Sequence, residues 1–117
     1  MKIKDIVEGI KAEVLVGKDR LNTEVNSACA SDMMSDVLAF VKEQAVLITG
    51  LVNPQVVRTA EMMDMKCIIF VRGKKPDSVT VGLAKSKNIV LLSSKMKMYT
   101  ACGILYAMGL SGGKDDE

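Results

Sequence analysis

Three short apolar runs, evenly spaced, restrict the folding of this chain more than any other feature. Ala45–Thr49, Cys67–Val71 and Ile89–Leu92 are almost wholly apolar and begin about 22 residues apart. A strand with one face in water alternates apolar and polar side chains. A continuous run is covered on both faces, as in a parallel sheet. The segments between the runs carry helical spacing instead. Asn53-Pro54 opens one helix, with a capping residue followed by proline in the first turn, and Val56, Val57, Ala60 and Met63 form its apolar face. One strand, one helix and two turns fill such an interval, and the step that results is a right-handed βαβ crossover. The three units share no residue pattern beyond hydrophobicity, so the interval is the size of a crossover and not a solenoid repeat.

The flanking segments extend this plan. Ile3, Ile6, Val7 and Ile10 predict a first helix, followed by the apolar run Val14–Val16, which Gly17 ends. GKDRLNTE reads as a turn, and Val25–Ala30 as a weak strand, since Asn, Ser and Ala are modest strand formers. Ser31 and Asp32 start a helix predicted over Asp32–Glu43, with Met33, Met34, Val37, Leu38 and Val41 on one face. Pro76 opens a shorter helix ending near Asn88, although Val79, Thr80 and Val81 are β-branched and also allow a strand-like stretch. Met98, Ala101, Leu105 and Met108 mark a last helix that Gly109 stops. The expectation is an α/β domain over residues 1–110, three-layered, with a mostly parallel sheet of about four to five strands and helices on both faces. Residues 111–117 are expected to form a polar, flexible tail. The strand order and the placement of residues 1–30 stay open.

Composition narrows the chemistry. The chain of 117 residues has no histidine, which excludes a Ser-His-Asp triad, a Cys-His dyad and a His-ligated zinc. Cys29, Cys67 and Cys102 are far apart in apolar surroundings, as suits buried free thiols, and no metal or cofactor is expected. Net charge is +2 and aromatic content 3%, a poor match to a nucleic-acid surface or a base-stacking platform. The N-terminus lacks the apolar core of a signal peptide, and no run is long enough to span a bilayer, so a cytoplasmic protein is expected. Most of the nine methionines fall on predicted apolar faces. Met62, Met65 and Met96 are harder to bury together and suggest a self-association surface.

Ligands of open parallel sheets bind outside the carboxyl ends of the strands. Here those ends carry Asp32, then Thr49, Gly50 and Asn53, then Arg72, Gly73 and Lys74, and finally Ser93. These are small, polar or cationic groups beside helix N-termini, where a phosphate or carboxylate is favoured. Lys75 adds charge at the same edge. The competing reading is that the same residues cap helices and solvate turns. GKDR, RGKKP and SGGKDDE do not fit the nucleotide-hydrolysing phosphate loop, and TGLVNP is not a dinucleotide fingerprint.

ACASDMMSDVLAF, VLITGLVNPQVVRTAEMMDMKCIIFVRGKKP and LLSSKMKMYTACGILYAMGL resemble stand-alone DRTGG-domain proteins, over about Ile3 to Leu110. The first 30 residues also resemble the small N-terminal domains of HPr kinase/phosphorylase and of the Mur ligases. The name-giving Asp-Arg-Thr is absent: Gly50 is followed by Leu51, Val52 and Asn53, and the paired glycines after the next strand are matched only by Gly73, beside Lys74. The resemblance implies a non-catalytic regulatory module, a homodimer that binds a small nucleotide- or phosphate-like anion or a partner enzyme. DRTGG domains accompany CBS domains in regulated pyrophosphatases, and stand-alone forms are sometimes encoded near iron-only hydrogenase genes. An accessory role in a hydrogenase or redox complex, through protein contacts, is therefore the alternative. A small enzyme acting on a phosphorylated metabolite, with Asp32, Arg58, Arg72 or Lys74, is a second alternative. Nothing in the spacing selects a reaction for it.

Overall fold

The computed structural model describes residues 1–40 and 45–113. Its elements in chain order are α1 (Ile3–Gly9), β1 (Glu13–Val16), a 3-10 turn (Lys18–Arg20), β2 (Ala28–Ala30), α2 (Met34–Phe40), β3 (Val46–Thr49), α3 (Pro54–Met62), β4 (Cys67–Phe70), α4 (Ser78–Ser86), β5 (Val90–Ser93) and α5 (Met98–Ala107). Every apolar run that predicts a buried strand is one: β3, β4 and β5 are buried at each position. The five strands form one sheet in the order β1-β5-β4-β3-β2. Pairing is parallel from β2 through β5, while β1 lies antiparallel to β5 at the far edge.

Strand pleating sends successive side chains to opposite faces, and helices cover both. Val46, Ile48, Cys67, Ile69, Val90 and Leu92 pack against Ile3, Ile6 and Ile10 at α1 and Ala101 and Leu105 of α5. Leu47, Ile68, Phe70 and Leu91 pack on the other side against Met34 and Val37 of α2, Val56, Val57 and Ala60 of α3, and Ala84 of α4. This is the expected three-layer α/β architecture. Because β2, β3, β4 and β5 are neighbours in sequence order, the three connecting helices α2, α3 and α4 share one face.

Residues 1–30, whose placement the sequence leaves open, supply both edges of the sheet. In β1, Val14 faces Leu92 and Val16 faces Leu91, so Leu15 is an extra residue in a β-bulge. The bulge puts Leu15 and Val16 on the α2–α4 side, with Val14 on the other. The weak strand expected over Val25–Ala30 shrinks to three residues, Ala28–Ala30. The β-branched stretch Val79–Val81 is helix. Asp77 caps α4 by accepting a bond from the Thr80 N–H at 2.9 Å, which outweighs local β preference. Of the helix predicted over Asp32–Glu43, Met34–Phe40 is helical, and residues 41–44 lie outside the described set. Ser111, the first residue of the expected tail, accepts a 2.8 Å bond from the Ala28 N–H at the edge of β2; residues 114–117 are outside the described set.

The methionines divide differently from their pattern. Met65 is buried, whereas Met33 and Met62 are 59% and 71% exposed. Cys67 is buried and Cys29 and Cys102 half-buried, all as free thiols. Burial pushes the Cys29 thiol up to about 11 and raises Cys67 and Cys102 as well. No helix among the described residues is long and apolar enough to cross a membrane.

Candidate functional site

The carboxyl ends of β2, β3 and β4 are tied together by Asp32. Its Oδ1 accepts from the Thr49 hydroxyl at 2.9 Å and from the Gly50 N–H at 2.7 Å. Its Oδ2 lies 3.9 Å from Arg72 Nη2. The Gly50 N–H holds the Asp32 carboxyl below its ordinary value, opposed by partial desolvation and helped by Thr49 and Arg72. Thr49 also accepts from the Leu51 N–H at 3.1 Å. A methyl group at position 50 would overlap the Arg72 guanidinium, so a side chain there would push Arg72 aside. Four of the expected site residues, Asp32, Thr49, Gly50 and Arg72, are thus brought together, and they partner one another. Asn53 stands at the N-cap of α3, exposed, with no side-chain capping bond.

The loop after β4 makes a tight turn. Arg72 and Gly73 both have positive φ, 59° and 69°, and the Lys74 N–H returns to the Val71 carbonyl at 3.1 Å. Positive φ at both central residues is the type I′ geometry. The Arg72 N–H donates to the Met96 carbonyl and the Gly73 N–H to the Ser94 carbonyl, each at 2.8 Å. All three N–H groups of the turn are therefore taken, and the loop is no backbone cradle for phosphate. Ser93 donates its hydroxyl to the Lys74 carbonyl at 2.7 Å, and Ser94 to the Ile10 carbonyl at 2.7 Å.

A cleft of about 370 Å³ opens beside this turn. Gly73 and Lys75 come from the loop after β4, and Ser93, Lys95 and Met96 from the end of β5. Ile10, Lys11 and Glu13 close it from the α1–β1 connection. Its position follows from the topology: the chain leaves β4 toward α4 on one face and leaves β5 toward α5 on the other. Adjacent parallel strands whose continuations part to opposite faces define the crevice where open α/β sheets take their ligands. The volume lies in the range of small-molecule sites. Lys75 Nζ is 3.0 Å from Glu13 Oε1, while Lys11 and Lys95 have no acidic partner among the described residues. A larger depression of about 540 Å³ lies near Asp5, Glu8 and Met108, where the side-chain charges are acidic and no strand ends converge. Among the described residues no cluster of three or more His, Cys, Asp or Glu is placed to hold a metal.

The DRTGG domain family model matches residues 5–108. The chain belongs to the DRTGG-domain family. This DRTGG domain superposes with a TM-score of 0.71 on the CBS and DRTGG domains of the regulatory region of Clostridium perfringens pyrophosphatase, a structure complexed with the activator diadenosine tetraphosphate. Sequence identity is 16%; the match covers 97% of the present chain and about half, 51%, of the other. The likeness establishes the shared fold. No curated protein sequence matches the chain.

Of the residues expected from strand ends, this DRTGG domain places Gly73 and Ser93 in the cleft. Lys74 gives its carbonyl to Ser93 and does not line the cavity. Lys95 and Met96 follow directly on a strand end and were within reach of the carboxyl-edge argument. Ile10, Lys11 and Glu13 were not, since only the antiparallel docking of β1, with Glu13 opposite Ser93, brings them there.

Proposed function

We propose that this DRTGG domain is a regulatory, ligand-sensing module without catalytic activity of its own, and that it takes a small anionic ligand at the carboxyl edge of its sheet. One observation carries the reading: the cleft at the divergence of β4 and β5 holds three lysines and one carboxylate. No nucleophile–base pair accompanies them. The structural neighbour is itself a regulatory region bound to a nucleotide activator, which agrees with this assignment.

The module acts as a homodimer. α5 contains no charged residue, and its outer surface exposes Tyr99 at 92% and Tyr106 at 62%. A helix this apolar normally has protein on both sides. A partner enzyme, as in a redox complex, would use the same surface.

Thermal unfolding in the presence of orthophosphate, pyrophosphate, nucleotides and acyl phosphates tests the ligand. At about 100 times Kd a ligand adds about 2.7 kcal/mol of stability. Failure of every anion to exceed a sodium chloride control of equal ionic strength would refute the reading. Light scattering after size exclusion tests the dimer, which Tyr106→Glu should split. A monomer at high micromolar concentration in the parent protein removes that part.

A further inference from the structure

The chemistry of the cleft says what kind of anion fits. The turn beside it offers no free backbone donor, because the N–H groups of Arg72, Gly73 and Lys74 bond to the carbonyls of Met96, Ser94 and Val71. The cationic groups of the cleft are the ammonium groups of Lys11, Lys75 and Lys95, which arrive from three separate parts of the chain. Lys11 is held where it is by backbone geometry. It sits at φ 52°, in the left-handed position that ends α1, and the Ala12 N–H returns to the Val7 carbonyl at 3.0 Å. Glycine is the usual residue at such a helix end. A lysine here takes a backbone conformation that glycine fills more easily, and it places a cation at the end of the helix.

Glu13 answers only one of the three charges, through its 3.0 Å pair with Lys75. A single phosphate that displaced Glu13 would exchange one anion for another. Two or more linked anionic groups would also engage Lys11 and Lys95. Half-buried Met96 adds apolar wall to the same cavity.

Resting on the anion-binding reading above, we propose that the cleft binds an organic di- or triphosphate, with the phosphates spread over Lys11, Lys75 and Lys95 and the organic body against Met96. Glu13 occupies the place of one phosphate until the ligand arrives.

Calorimetric titration of the full chain at low ionic strength, with orthophosphate, inorganic pyrophosphate and ADP as probes, tests this. Pyrophosphate should bind at least about tenfold more tightly than orthophosphate, since it can engage two further exposed charge pairs, each contributing about three- to fivefold. ADP should bind more tightly than pyrophosphate. Glu13→Gln should tighten pyrophosphate by about three- to fivefold, the worth of one exposed pair. Lys11→Met with Lys95→Met should weaken it at least about tenfold, again on the exposed-pair scale, with an unchanged circular dichroism spectrum. Equal affinity for orthophosphate and pyrophosphate, or no gain in Glu13→Gln, would overturn the diphosphate assignment and leave the wider reading standing. Binding that survives loss of both lysines but disappears in Arg72→Ala would move the anion to the Asp32 cluster, and again only this assignment falls. No binding by any probe above the salt control would remove both.

Discussion

Asp32→Ala should unfasten three strand ends at once. The substitution removes the acceptor of the Thr49 hydroxyl and of the Gly50 N–H and leaves Arg72 without its nearby carboxylate. Thr49 is fully buried, so its hydroxyl loses a charged acceptor where water has little access. That loss is worth about 1–2 kcal/mol. The Gly50 N–H is exposed and recovers part of its bond from solvent, for a loss of about 1 kcal/mol. The Arg72 pair is long and about half exposed on each side, and adds no more than a few tenths of a kcal/mol. The total is about 2–3 kcal/mol. For 117 residues the unfolding entropy is about 0.25 kcal/mol/K, so the melting temperature should fall by about 8–12 °C. Urea denaturation of Asp32→Ala, Thr49→Val and the double variant gives the coupling directly. The expected coupling energy is about 1 kcal/mol, and a value within about 0.3 kcal/mol of zero would refute the hydrogen-bonded tie. A pH arm gives an independent check. The folded Asp32 carboxyl has a depressed pKa, so its contribution is present above the unfolded value, about 3.9, and is lost as pH falls through the folded value. Asp32→Asn should therefore flatten the acid side of the stability profile. An unchanged acid limb would mean that Asp32 is not held as described.

Other substitutions probe the fold. Gly17 has φ +94°, and a Cβ there would meet Val90 Cγ2 at 2.7 Å, so Gly17→Ala should lower stability by about 1–3 kcal/mol in urea denaturation. Ile69 is fully buried in β4, in the middle of the sheet, and Ile69→Ala should cost about 2–5 kcal/mol by the same measurement. With Cys29 raised to about 11, only about one thiol in a thousand is ionised at pH 8. Alkylation of the native protein at pH 8 should be slow at Cys29, and Cys67 should react only after unfolding, as peptide mass mapping over time will show.

The sheet was legible where burial alone decides structure. Continuous apolar runs at 45–49, 67–71 and 89–92 have one good solution, a strand covered on both faces, and the structure places β3, β4 and β5 there. Long-range pairing was not legible. Val14–Val16 is too short a run to state a partner, and its antiparallel place beside β5, with a bulge at Leu15, depends on contacts some 75 residues away in sequence. Over Val79–Val81 the expected helix holds against a local β preference, because the Asp77 side chain caps it. The carboxyl-edge rule points to the edge of the sheet where the cleft lies, and it grouped Arg72 with the lysines that follow it. The structure divides them, Arg72 going to Asp32 over β3 and Lys75 to Glu13 on β1.

That division follows from strand order. In a sheet whose parallel strands run β2, β3, β4, β5 in sequence, each right-handed crossover moves the same way and lays its helix on the same face. The pattern stops at β5, because antiparallel β1 already fills the next position. The chain then continues to the opposite face as α5, and the loops after β4 and β5 part. An antiparallel strand presents its beginning where its neighbours present their ends. Glu13, the first residue of β1, therefore lies opposite Ser93, the last of β5, and the α1 terminus with Lys11 is carried to the same edge. A fourth parallel crossover in this position would have supplied another helix and another capped turn. The reversed strand instead supplies a carboxylate, Glu13, and the connection before it a lysine, Lys11. The cleft is thus a consequence of one antiparallel edge strand in an otherwise parallel sheet, and two of its charges, Lys11 and Glu13, belong to the segment whose placement was hardest to read from sequence.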